Sequence, residues 1–375
     1  ASGGIEYADA YLNDNVSRFT WSFVRSAIDQ GVLVANYLSV DRLQRSNSGW
    51  TVEANDVAGG RSITLTARAV VNAGGPLVDG VNEHMAVTTE HRIVYSKGIH
   101  LVVPRLTDSE RVLAFFDDTQ RLFYVIPMAH RSVIGTTDTR TTEHDEGVTD
   151  EDRTFLLEQI NARLDLEHPL TTDDIIAERC GVRPLVVKAA GGDKKDEDWT
   201  SLSRKHEIEV DRDRKVVTIF GGKLTDCLNV GDEVVEAVQK LGLRPGRGTD
   251  DWYGEPPAEV REAFLARAAP LGLDRAPDVE RAPSIAHVLW RRHGRAAHDV
   301  LAAIEQDPAM AEPVLAESDL LRGELALFRD REMIVEPDDL LRRRTKLALI
   351  HRDDDLAADP GMAEVLGLFG SPTSA

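Results

Sequence analysis

Along this chain the spacing of hydrophobic residues switches between the helical and the extended period, and the switches mark out the elements. Phe19, Phe23, Val24, Ala27 and Ile28 recur at the helical period up to Gly31, a suitable C-terminal stop, and predict a helix of about four turns. Residues 32–34, 41–43, 50–54 and 62–67 are short β-type runs separated by Ser48-Gly49 and Gly59-Gly60, which read as strands joined by hairpins. Ala69-Val70-Val71-Asn72-Ala73 runs into Gly74-Gly75-Pro76 and reads as a buried central strand. Between Ile93 and Asp138 come β runs at 98–103, 111–116, 122–126 and 132–135, an antiparallel meander by pattern. Residues 150–164 follow as a helix with an acidic first turn, 175–182 as a strand leading to Arg183-Pro184, and 188–199 as an exposed loop. Beyond Pro256 the β signal fades into helical patterns starting at Ala258, Ile285, Asp319 and Asp338, with 242–257 as linker.

One junction carries candidate chemistry. The hairpin of 207–210 and 216–220 breaks at Gly221-Gly222 and leads through Lys223-Leu224-Thr225 into an amphipathic stretch beginning near Asn229. A strand, glycine turn and helix start aim unpaired backbone N–H groups and the positive end of the helix dipole at one point, which suits an anionic or electron-rich ligand. A side chain at either glycine would hold a bulky planar ligand away from the backbone. The plain alternative is a turn that only packs a helix against a sheet.

Composition narrows the classes. With 44 Lys and Arg against 64 Asp and Glu, a formal charge of −20 argues against a nucleic-acid binder. Cys180 and Cys227 are too few for a disulfide scaffold and fit a reducing compartment. No apolar run reaches the roughly 18 residues of a membrane span. Arg342-Arg343-Arg344 and Lys346, following Pro337-Asp338-Asp339, read as a solvated helix face, with contact to an anionic membrane surface as the alternative. His287, His293 and His298 do not share a helix face, and no metal is expected. The chain opens at Ala1 and reads as a piece of something longer.

Several segments share one order with a known family. They are Gly31 to Val40, Asn72-Ala73-Gly74-Gly75-Pro76, Lys97-Gly98-Ile99-His100-Leu101-Val102-Val103-Pro104, Ile134-Gly135-Thr136-Thr137-Asp138, Gly181-Val182-Arg183-Pro184-Leu185, Ser203-Arg204-Lys205-His206 and Phe220-Gly221-Gly222-Lys223-Leu224-Thr225. In these, and in Leu340-Leu341-Arg342-Arg343-Arg344-Thr345, the chain resembles the FAD-dependent glycerol-3-phosphate dehydrogenases over nearly its whole length. The resemblance implies a mixed α/β fold. Residues 1–92 would form a partial FAD-binding, Rossmann-like domain with a return segment at 201–242; 93–200 would be an antiparallel-sheet substrate domain and 250–375 a helical cap. The family's opening strand and G-x-G-x-x-G turn, which hold the ADP half of FAD, have no counterpart here, so the chain is expected to be a truncated form carrying half of a cofactor site.

By resemblance, Val34, Asn72, Ala73, Gly74, Gly221, Gly222, Lys223, Leu224 and Thr225 contact FAD, and His100, Arg183, Arg204 and Lys223 bind glycerol 3-phosphate, with His100, Arg183 and Lys223 catalytic. Guanidinium groups suit a phosphate. An imidazole suits the departing hydroxyl proton, although His100 as a phosphate ligand stays open. The resemblance also points to quinone as electron acceptor, to a cytoplasmic protein with peripheral contact at the inner face of the cell membrane, and leaves room for a homodimer. Departures from the family pattern are Gly74-Gly75-Pro76-Leu77, Ile99 before His100, and Asp226-Cys227-Leu228, which sets a carboxylate beside the flavin locus. Two other readings are a related flavin oxidase or dehydrogenase using oxygen or another hydroxy acid, and a non-catalytic phosphate-binding fragment.

Overall fold

The computed structural model describes residues 4–8, 12, 15–116, 122–190, 205–246, 255–276 and 283–370. Helix α1, Val16–Asp29, starts where the Asn15 side chain accepts the Arg18 N–H at 2.7 Å, and it buries Trp21 and Arg18. Residues 32–34, expected as a strand, form an extended loop instead: the segment is pulled onto the C-terminal helices, where Asn36 Nδ2 donates to the Met333 carbonyl and Tyr37 OH to Asp339. Strands β1 (Leu38–Ser46), β2 (Gly49–Asp56) and β3 (Arg61–Ala67) then make the expected hairpin sheet, with fully buried Trp50 at its root.

Two strand–turn–helix units lie side by side. Strand β4, Val70–Asn72, turns through Gly74-Gly75 into helix α2, Val78–His84. Far along the chain, β11 (Glu207–Asp211) and β12 (Val216–Phe220) form a hairpin, and β12 turns through Gly221-Gly222 into helix α4, Cys227–Lys240. Strand β12 pairs in parallel with β4, Val217 opposite Val71 and Thr218 opposite Asn72, so both glycine turns emerge at the same carboxyl end. Val217, Ala237 and Leu241 seal α4 onto one face; Trp50, Met85 and Val216 close the other.

The middle of the chain is antiparallel. Its strands are β5 (His91–Pro104), β6 (Leu113–Phe116), β7 (Leu122–Met128), β8 (Arg131–Gly135), β9 (Thr139–Thr141) and β10 (Ala177–Lys188). Their order is β10-β5-β8-β7-β6, with β9 against β5. Only β6-β7-β8 is a true meander; the long β5 inserts between β8 and β10. Strand β10 also runs on through Pro184 to Lys188 instead of ending at Val182, since it has β5 to pair with along that whole length. Helix α3, Asp150–Arg163, opens with a Thr149 capping box and covers one face, burying Ile99, Leu101 and Val103 with Leu156 and Ile160. His100 and Val102 point to the other face.

Helices α5 (Ala258–Ala268), α6 (Ile285–His293), α7 (Ala297–Gln306) and α8 (Arg322–Arg331) pack around Phe264, Leu289, Val300 and Leu301. A second core around Phe328, Leu340 and Val365 gathers α8 with α9 (Leu347–Ile350), α10 (Asp353–Ala358) and α11 (Met362–Phe369). The basic run 342–344 departs from the expected solvated helix. It forms a π-helical turn, Asp339–Arg344, in which Arg344 is buried, donates to the Glu332 carbonyl and lies 4.2 Å from the Trp21 ring centre. Helix α1 thereby belongs to this region: Asn15 also donates to the carbonyls of Arg342 and Thr345, and Arg18 pairs with Glu332.

Candidate active site

The site is assembled on the face of β5 and β10 turned away from α3. In this antiparallel pair Arg179 lies opposite His100, Gly181 opposite Gly98, and Arg183 opposite Ser96, so all six share one face. Arg183 reaches back over Gly98. Its Nη2 donates to Thr136 Oγ1 at 2.9 Å and its Nη1 to the Thr137 carbonyl at 3.3 Å, and it faces Asp138 Oδ1 at 3.4 Å. Asp138 is steadied in turn by the Ser96 hydroxyl. Gly98 is glycine because a Cβ there would lie 2.5 Å from Arg183 Cζ.

His100 stands between Gly135 on β8 and Arg179 on β10. Its ring makes no hydrogen bond to any described residue. Burial, then the charges of Arg179 and Arg183, push its pKa down to about 4, so the imidazole is neutral near pH 7 and keeps a lone pair to accept a proton. Lys97, one turn of the pleat away, faces elsewhere: its ammonium is buried against Asp152 at 2.8 Å and Glu146 at 3.0 Å and anchors the start of α3. Ile99 likewise fills the α3 core and stands outside the site.

The glycine turn packs against the later part of β10. Gly221, at φ +62°, is packed so that a Cβ would meet Val186 Cγ2 at 2.5 Å and the Pro184 carbonyl at 3.6 Å, one residue from Arg183. The Lys205 carbonyl lies at 3.3 Å from the same point, and His206 Cβ at 3.3 Å from a Cβ on Gly222. Arg204 itself lies outside the described residues, as does most of the loop expected at 188–199. Gly222, Lys223, Leu224 and Thr225 are exposed. Asp226 is not a free carboxylate beside the turn: it holds His206 Nδ1 at 2.7 Å and Asn229 Nδ2 at 2.7 Å, and the Asn229 and His206 hydrogen bonds keep it below the usual carboxylate range.

Asn72 is a brace for the neighbouring turn. Its buried amide donates to the Val78 carbonyl at 2.9 Å and Asn82 at 2.8 Å, while its oxygen accepts the Gly74 N–H at 3.1 Å. Tyr95 OH donates to the Pro76 carbonyl, tying that turn to β5. Val34 sits in the loop fastened to the helical region by Asn36 and Tyr37. The structure thus brings His100 and Arg183 together on one face, sets the Gly221 turn against β10 beyond Arg183, and sets the Ala73–Gly74 turn beside that of Gly221. Sequence reading missed Arg179 and the three oxygen groups of Thr136, Thr137 and Asp138 that aim Arg183; the alternation of β10 was the signal, since residues 179, 181 and 183 must share a face.

A cleft of about 1260 Å³ lies elsewhere, between α1 and the helical region. Of the seven arginines that line it, Arg18, Arg25, Arg261, Arg292 and Arg331 are paired with a carboxylate.

Residues 1–196 match the family model described as FAD dependent oxidoreductase, and residues 248–368 that of the C-terminal domain of alpha-glycerophosphate oxidase. The chain is similar to the mitochondrial glycerol-3-phosphate dehydrogenase of Mus musculus, 26% identical over 97% of this chain and 50% of the mouse protein. It is likewise similar to the Synechocystis glycerol-3-phosphate dehydrogenase, 28% identical over 97% of this chain and 67% of the relative. The chain therefore spans about half the length of the mouse relative. Among solved structures, the glycerol-3-phosphate dehydrogenase from Bacillus halodurans complexed with FAD superposes with a TM-score of 0.73 at 25% identity, covering 93% of this chain and 67% of that one.

Proposed function

The chain belongs to the FAD dependent oxidoreductase family, and from that premise we propose that it forms the substrate side of an enzyme that oxidises sn-glycerol 3-phosphate to dihydroxyacetone phosphate. The observation that carries this reading is the Arg183 guanidinium held over Gly98, on the same face as a neutral His100. FAD, when bound, supplies the acceptor for the hydride leaving the substrate carbon. The residues fit the ring end of that cofactor. The Gly221-Gly222 and Ala73-Gly74 turns end adjacent parallel strands, the place where open α/β sheets take their ligands, and a Cβ on Gly75 would meet nothing within 4 Å.

Each side chain then has a defined task. Arg183, joined by Arg204, binds the phosphate, and its fork is already aimed by Thr136 and Thr137. The His100 ring accepts the hydroxyl proton as the carbonyl forms. Lys223, with the α4 dipole behind it, offsets negative charge that develops at the turn. Electrons would pass on to a quinone, with the protein in peripheral contact with the inner face of the membrane; no helix among the described residues is long and apolar enough to cross one.

The test is spectroscopic. Protein purified with its flavin should lose its oxidised-flavin absorbance stoichiometrically on anaerobic addition of glycerol 3-phosphate, and should keep it with glycerol or lactate. No bleaching by glycerol 3-phosphate would overturn the proposal.

A further inference from the structure

Asp226 stands where an acid at a helix start ordinarily reaches back to the chain. The helical run after the glycine turn opens with a 3-10 turn, Leu224–Asp226, preceded by Lys223 in extended backbone, and Asp226 is its third residue. At other helix starts of this chain the acid in that third position accepts the N–H of the residue before the helix. Asp152 takes that of Thr149 at 3.0 Å, Asp174 that of Thr171 at 2.7 Å, and Glu324 that of Leu321 at 2.8 Å. Asp226 breaks the pattern. It accepts from His206 Nδ1 and Asn229 Nδ2, each at 2.7 Å, and no described group accepts the Lys223 N–H.

His206 is placed to hold that carboxylate away. Its side chain is only 6% exposed, and its Nε2 lies 3.2 Å from Glu233 Oε1, so the ring is fixed between two acids of the same helical run. Its backbone lies beside the glycine turn, with His206 Cβ 3.3 Å from a Cβ on Gly222 and the Lys205 carbonyl 3.3 Å from one on Gly221. A carboxylate released from this ring has the ordinary capping geometry open to it. It would then set a negative charge on the N–H that the turn offers to a ligand. We propose that His206 is a positioning residue for the flavin end of the site: it withdraws Asp226, so that the Lys223 N–H and the positive end of α4 stay available to the electron-rich edge of the bound ring. The inference rests on the reading above, in which the Gly221–Lys223 turn takes the flavin.

The experiment compares wild type, His206→Leu, Asp226→Ala and the double variant, each loaded with flavin, by midpoint potential and by crystal structure. His206→Leu should turn the Asp226 carboxylate onto the Lys223 N–H and lower the potential by about 30 mV, a tenfold change in the two-electron equilibrium. In the Asp226→Ala background the same substitution should leave the potential unchanged, a dependence that a merely structural role for His206 does not produce. His206→Ala, which adds no bulk, repeats the comparison if the leucine variant misfolds. An Asp226 that stays in place, or a shift of equal size in both backgrounds, would overturn the positioning role and leave the proposed function standing. Flavin that follows the expected pattern yet is not bleached by glycerol 3-phosphate would instead overturn the proposed function.

Discussion

The Arg183 guanidinium occupies the space that a side chain on Gly98 would need, with Cζ at 2.5 Å from the position of a Cβ there. The obstructing atoms are the far end of a flexible chain, so an added methyl group displaces the arginine head more readily than it deforms the sheet. Gly98→Ala should therefore raise the KM for glycerol 3-phosphate about tenfold, the cost of a misplaced charge-assisted pair. The melting temperature should shift by less than about 4 °C. Steady-state kinetics with thermal unfolding of the same preparation checks this, and a loss of stability that accounts for the lost affinity would contradict it.

His100 should behave as a base that stays neutral well into acid. Burial first, then Arg179 and Arg183, lower its pKa from 6.5 to about 4. The native state thus binds fewer protons than the unfolded state between those values. Stability should be at its full value above pH 6.5 and fall as the pH drops toward 4, by on the order of 3 kcal/mol from this group. Denaturation at a series of pH values, compared with His100→Asn, measures it: the variant should show a flatter profile over that window. An NMR titration placing the His100 pKa at or above 6.5 would defeat the argument.

In the helical region Glu324 is fully buried and receives Arg292 at 2.7 Å, His293 at 2.7 Å and the Leu321 N–H at 2.8 Å. Despite burial, these partners hold its carboxyl well below the usual range. Glu324→Ala would remove one of the two acids of buried Arg292 and the hydrogen-bond partner of buried His293, and should cost about 3 kcal/mol in chemical denaturation. A loss under about 1 kcal/mol would mean that water or a rearranged acid takes over.

Gly221 and Gly222 should respond differently to alanine although both have positive φ. At Gly221, φ +62° combines with a 2.5 Å approach to Val186 Cγ2, and a loss of about 2 kcal/mol is expected. At Gly222 the nearest atom is 3.3 Å away, so the conformational penalty stands almost alone, about 1 kcal/mol. Flavin retention on gel filtration should fall in both variants, and equal stability losses would refute the packing role given to Gly221.

What could be read from the sequence follows from how local each signal is. The β12 turn was legible because a β-branched run, two glycines and an amphipathic stretch stand in immediate succession. Helix α1 was legible from its period. Residues 32–34 misled because Val32, Leu33 and Val34 have strand propensity while their placement is decided by Asn36 and Tyr37 reaching distant partners. Arg344 misled for a similar reason: an arginine in a basic run reads as solvated, and only the arrival of Trp21 and the Glu332 carbonyl makes burial favourable. Within the site, His100 and Arg183 stood in recognisable motifs, whereas Arg179 acquires its meaning only from the register that puts it across from His100.

Helix α1 docks through bonds that span most of the chain: Asn15 to Thr345 across 330 residues and Arg18 to Glu332 across 314. On the ribosome, at about 5–20 residues per second, the first helix waits roughly 15–60 s before its acceptors are made. Until then α1 lacks the Thr345, Glu332 and Arg344 partners that it has in the fold. Docking of α1 is thus a late step, timed by the synthesis of the C-terminal region and not by the helix's own propensity.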